Sequence, residues 1–167
     1  SAMLSFPNGS RCADLRIIDP SGNSMSYIDD AVVRDLPFGS FYRLQQGNGT
    51  PVDLAQVGVV NTGTYKIEIV GNGTSVADLS VVVPDSGTGF NLVTFPQVPI
   101  TTNTQALMAM MKGSTLFELG VDNDGDGIID STLTGTVAPV QEPALALLHA
   151  MQDCTVHGAG HAVALLF

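Results

Sequence analysis

Residues 121–130 read VDNDGDGIID, with Asp122, Asp124, Asp126 and Asp130 packed into one short stretch. Four carboxylates this close repel one another at neutral pH, so their spacing calls for a positive partner. Calcium is a hard cation that takes six to eight oxygens. A loop supplies them when alternate side chains turn inward and a glycine allows a tight bend. With Asp122 as position 1, Asp124 falls at position 3, Asp126 at 5, Gly127 at 6 and Asp130 at 9. Ile128, at position 7, offers its backbone carbonyl. The competing reading is a solvated acidic turn, rich in Asp and Gly because turns favour both.

This pattern matches the first half of an EF-hand loop, with the glycine in its required place. The second half departs from it, because position 12 holds Leu133 where a bidentate Glu belongs. Strand-like sequence, TLFELG before and STLTGTV after, flanks the loop, so a helical calcium switch is not expected. Asp29, Asp30 or Asp85 are candidates to donate a further carboxylate from another loop.

Other chemistry is weaker. His149, His157 and His161 lie near the end of the chain, with Cys154 among them. His157 and His161 would share a helical face and could hold zinc, but Gly158 and Gly160 oppose a helix there, and no Glu follows His157. A Cys154–histidine pair lacks an obvious orienting group, and no G-x-S-x-G elbow is present. The Gly-Asn-Gly-Thr stretches at 47–50 and 71–74 read as turns, not phosphate loops. Glycosylation patterns at 8–10, 48–50 and 72–74 matter only in a secreted eukaryotic setting. Tyr27, Tyr42 and Tyr65 are scattered and Trp is absent, a poor platform for a sugar ring.

The elements that must position the loop read as strands. Leu15 and Ile17 alternate with Arg16 and Ile18, and Pro20–Asn23 supply a turn. The run 40–60 holds two apolar stretches separated by the loop signal at 47–51. Tyr65, Ile67 and Ile69 alternate with Lys66 and Glu68, and Ala77, Leu79, Val81 and Val83 continue on a return strand. Asn72-Gly73 is expected to close the two into a hairpin. Pro96 and Pro99 mark an edge or an irregular exit. Around 104–112, Ala, Leu and Met suit a helix capped by Thr101 or Thr104, while the length and the β context favour a strand. From Glu142-Pro143 a short C-terminal helix is expected, followed by an apolar tail that must pack on the body or a neighbour. The organisation predicted is an all-β antiparallel sandwich over 1–138, carrying the calcium loop, and a helix-plus-tail over 139–167.

Composition agrees. The chain has 167 residues, 44 % hydrophobic and 13 % charged, with a net charge of −10. Such a surface is repelled by nucleic-acid phosphates and anionic membranes, and no apolar run is long enough for membrane insertion. No signal peptide is evident. The opening Ser-Ala-Met reads as a cloning remnant, which suggests a piece excised from a longer protein. Cys12 and Cys154 could form one disulfide or remain two buried thiols.

LRIIDPSGN, TGTYKIEIVGNGTSVADLSVVV and LGVDNDGDGIIDSTL, spread from residue 15 to about 134, resemble non-catalytic accessory domains of large secreted or surface bacterial proteins. The third piece is also similar to the aspartate-rich loops of thrombospondin type 3 repeats. The resemblance implies an immunoglobulin-like or jelly-roll sandwich, an extracellular or cell-surface location, and partners among the other domains of a larger protein, or a glycan or protein surface. The alternatives are a carbohydrate- or surface-binding module, or a hydrolase using His157 or His161.

Overall fold

A computed structural model describes residues 1–28, 31–58, 62–140 and 154–155. Among these every regular element is a strand: β1 (Ala2–Ser5), β2 (Ala13–Ile18), β3 (Ser24–Ile28), β4 (Ala31–Arg34), β5 (Gly39–Gln46), β6 (Pro51–Val57), β7 (Tyr65–Gly71), β8 (Ser75–Pro84), β9 (Phe90–Ile100), β10 (Gln105–Met110), β11 (Glu118–Asp122), β12 (Ser131–Thr134), β13 (Thr136–Val140) and β14 (Cys154–Thr155). They form two antiparallel sheets. The first runs β13-β9-β8-β1-β6-β5-β14 and the second β12-β11-β10-β7-β2-β3-β4. The sandwich is therefore as the alternating pattern predicts. None of the described residues forms a helix long and apolar enough to cross a membrane.

The inward faces follow the period of two. Leu15 and Ile17 of β2, Ile67 and Ile69 of β7, and Leu79, Val81 and Val83 of β8 all enter one core, joined by Phe6, Phe95 and Phe117. Each such side chain contributes about 1.5–3 kcal/mol on leaving water. The ambiguous segment is settled as strand β10, with Ala106 and Met108 buried and Leu107 and Ala109 on the outer face. Tyr65 is a core residue, as its place in the alternation predicts.

Two expectations change. Asn72-Gly73 does not close a hairpin: β7 pairs with β2 and β10 in the second sheet, whereas β8 pairs with β1 and β9 in the first. The turn is a corner between sheets, held by the Asn72 and Gly73 amides donating to the Cys12 carbonyl at 2.8 and 3.1 Å. Alternation fixes which face of a strand is buried but says nothing about its neighbour. Ala2 and Met3 begin the central strand β1, where Ala2 lies opposite both Ala55 and Val81. The second change concerns the C-terminal helix. β13 reaches Val140, and Cys154, expected at the end of the C-terminal helix, pairs with Gln46 of β5. The remainder of the expected helix and apolar tail lies outside the described residues.

STLTGTV is two strands in different sheets, β12 and β13, switching at Gly135. A Cβ there would come within 2.5 Å of Val93 Cγ1 and 2.8 Å of Phe95 Cζ, so only glycine lets the chain pass this close to the core. The prolines of β9 fall where irregularity is tolerated: β13 covers only Phe90–Thr94, and Pro96 and Pro99 lie beyond it. Cys12 is a free, buried thiol whose pKa is raised by that burial despite a backbone hydrogen bond.

Candidate metal centre

The aspartate loop joins β11 to β12, which pair from Glu118↔Thr134 to Val121↔Ser131. The Asp130 amide closes the base of the loop by donating to the Val121 carbonyl at 2.9 Å. Inside, each aspartate folds the chain through its own carboxylate. Asp122, last residue of β11 and buried, accepts from the Gly125 amide at 2.7 Å and the Gly127 amide at 2.8 Å, one on each oxygen. Asp124 accepts from the Asp126 amide at 3.2 Å, Asp126 from the Ile128 amide at 2.8 Å, and Asp130 from the Asn123 amide at 2.8 Å. Gly125 and Gly127 take φ of +80° and +86°, a region other residues enter at a cost, and this turns the chain back around Asp122.

The result brings three of the expected ligands together. One oxygen each from Asp122, Asp124 and Asp130 lies within 4.8 Å of the others. Two oxygens on one calcium ion, each at 2.3–2.6 Å, are separated by at most about 5.2 Å, so the trio fits a shared ion. Asp126 is not in this group, and Ile128 turns its side chain to solvent. The cluster could hold a metal ion. Asp85, a possible extra donor, instead caps its own turn by accepting from the Gly87 and Gly89 amides at 2.7 and 3.0 Å. Asp29, Asp30 and the three histidines lie outside the described residues.

Burial pushes the Asp122 carboxyl up, but amide donors from Gly125, Gly127, Asp124 and Asp126 outweigh it and leave the group below the usual carboxylate range. Asp122 therefore stays ionised, and each of its oxygens retains a lone pair beyond the amide bond it accepts.

A turn that the sequence did not mark as part of the site holds the loop in place. Thr101 and Thr104, considered above as helix caps, bridge β9 and β10 instead. The Thr101 amide donates to the Thr104 hydroxyl at 2.8 Å, and the Thr101 hydroxyl donates to the Asn123 carbonyl at 2.9 Å. The Gly71 amide donates to the Thr104 carbonyl at 2.8 Å, tying the turn to β7. The T-x-x-T spacing was the available signal, and a turn uses the same hydroxyls as a cap.

A second polar cluster also escaped the sequence reading. Asp53 of β6 faces the interior and accepts from Arg11 Nε at 2.9 Å, with Arg43 Nε 3.5 Å away. Arg43 also donates to Asp14 of β2 at 3.2 Å and lies over the Tyr27 ring, so this network ties the two sheets together. Burial raises the Asp53 pKa against the lowering pull of both arginines. The sequence carried no clue to it, because apolar Val52 and Leu54 on either side place Asp53 on the outward face by alternation.

Comparison with family models, characterised proteins and solved structures finds no match to this chain.

Proposed function

We propose that this chain is a non-catalytic, extracellular accessory domain whose β11–β12 loop binds calcium as a structural clamp. The observation that carries the reading is the convergence of Asp122, Asp124 and Asp130 at the mouth of a strand hairpin. A dication between them cancels mutual repulsion and joins the end of β11 to the start of β12. In this reading Asp126 and the Ile128 carbonyl complete the coordination by small loop adjustments. The hard oxygen donor set favours calcium or a similar hard cation over a thiol- or imidazole-seeking metal. The resemblance to accessory domains of secreted and surface bacterial proteins supplies the location and the expected partners, namely neighbouring domains or a glycan or protein surface.

Thermal unfolding tests the clamp. Calcium at about 100 times its dissociation constant adds about 2.7 kcal/mol, which for a domain of this size corresponds to a midpoint rise of about 5–10 °C. A midpoint unmoved by millimolar calcium, with a chelated sample as reference, would remove the proposal.

A further inference from the structure

Asparagine or aspartate followed by glycine is the sequence at which a peptide chain most readily rearranges itself. The glycine nitrogen attacks the side-chain carbonyl carbon and closes a succinimide ring. Ammonia leaves when the residue is asparagine, and water when it is aspartate. Water then reopens the ring at either carbonyl, giving aspartate or isoaspartate, in which the backbone runs through the former side chain. Glycine favours the attack because it has no Cβ to hinder the approach. The chain has five such peptides: Asn8-Gly9, Asn48-Gly49, Asn72-Gly73, Asp124-Gly125 and Asp126-Gly127.

In the folded chain each of these glycine amides is held by an acceptor. Gly9 donates to the Phe6 carbonyl at 3.0 Å, Gly49 to the Gln46 carbonyl at 2.8 Å and Gly73 to the Cys12 carbonyl at 3.1 Å. Those three acceptors belong to the backbone and do not depend on any one side chain. The aspartate loop differs, because Gly125 and Gly127 both donate to the Asp122 carboxylate, at 2.7 and 2.8 Å. An amide bond to an ionised carboxylate is stronger than one to a neutral carbonyl. The groups open to attack are engaged too: the Asp124 carboxylate accepts from the Asp126 amide at 3.2 Å, and that of Asp126 from the Ile128 amide at 2.8 Å. Water is at hand, since residues 124–127 are exposed while Asp122 is buried. Exposed loops of this kind open locally at far less cost than core strands. Removing the Asp122 carboxylate would therefore release two reactive nitrogens at once.

We infer that Asp124 and Asp126 are latent sites of isoaspartate formation, and that Asp122 guards both by holding the Gly125 and Gly127 nitrogens away from attack. None of this requires calcium. Isoaspartate at 124 would add a methylene to the backbone and move the carboxylate onto the main chain. That change, which leaves the mass unaltered, takes the Asp124 oxygen out of the trio with Asp122 and Asp130.

Ageing of the full chain in chelator, at neutral pH and body temperature, tests the assignment. Isoaspartate is read by methylation with an isoaspartate-specific methyltransferase and located by peptide mapping. The folded chain should form far less of it at Asp124 and Asp126 than the same chain unfolded in guanidinium chloride; equal rates would overturn the inference. Asp122→Ala should raise both positions about tenfold or more and leave deamidation at Asn8, Asn48 and Asn72 unchanged. Asp53→Asn, destabilised at a distant point, is the control. An equal rise at Asp124 and Asp126 in that variant would assign the reaction to general unfolding and overturn the role of Asp122. Asp122→Asn covers the case in which the alanine variant does not fold. It matches the native shape but keeps one accepting oxygen, so it should release one glycine and raise isoaspartate at Asp124 or Asp126; no rise at either would contradict the inference.

Discussion

Among individual residues, Asp122 is the member of the carboxylate trio that accepts two loop amides. It orders the loop by accepting the Gly125 and Gly127 amides, and it offers an oxygen to the carboxylate trio. Asp122→Ala should therefore destabilise the chain by about 1–3 kcal/mol even in chelator, because two amides lose their acceptor. Asp124→Asn should change the chelated protein by less than about 0.5 kcal/mol and remove most of the calcium response. Urea unfolding with and without calcium separates the two. The pH dependence follows from the depressed pKa of Asp122: its contribution is complete above the ordinary carboxylate value near pH 4, and is lost as pH falls through the lower folded value. Acid unfolding of Asp122→Asn should lack that loss, so the stabilities of the two proteins should converge toward pH 2. Asp53→Asn strands two arginines beside a neutral group and should cost about 3 kcal/mol, read from the same urea curves. The aspartate spacing was legible because ligand geometry imposes a period on the sequence. The Asp53 network was not, because its members come from β2, β5, β6 and the segment before β2, and only the pairing of sheets brings them together.

At the scale of elements, the loop is only as ordered as the turn beneath it. A Cβ at Gly71 would sit 1.9 Å from the Thr101 carbonyl oxygen, so no side chain fits where β7 meets the 101–104 turn. Gly71→Ala should displace that turn, lower stability by more than about 2 kcal/mol and weaken calcium binding through the Thr101–Asn123 contact. Parallel melting and calcium titration measure both effects; a loss of stability with an unchanged calcium response would detach the turn from the site. The strands themselves were legible from alternation at Tyr65–Ile69 and Ala77–Val83, where one wet face forces a period of two. Their pairing was not. A Gly-Asn-Gly-Thr stretch serves a hairpin or an inter-sheet corner equally well, and the choice is made by remote partners such as the Cys12 carbonyl. At 47–50 the same four residue types do join paired neighbours, β5 and β6.

For the whole molecule, the two sheets share one main core, and β9, β13 and β12 carry the chain back and forth between the region of the aspartate loop and the first sheet. Calcium bound at the β11–β12 hairpin would thus act on a sheet whose strands unfold with the rest, so its effect should appear as a shift of a single cooperative transition. The alternating pattern made the sandwich legible. The sheet-switching glycine at 135 was hidden, since it depends on where strands lie and not on their types. The most direct test of the central claim is equilibrium dialysis of the full chain against calcium. The account predicts about one ion per chain, lost when Asp124→Asn and Asp130→Asn are combined; no bound calcium at millimolar free concentration, or binding that survives both substitutions, would contradict it.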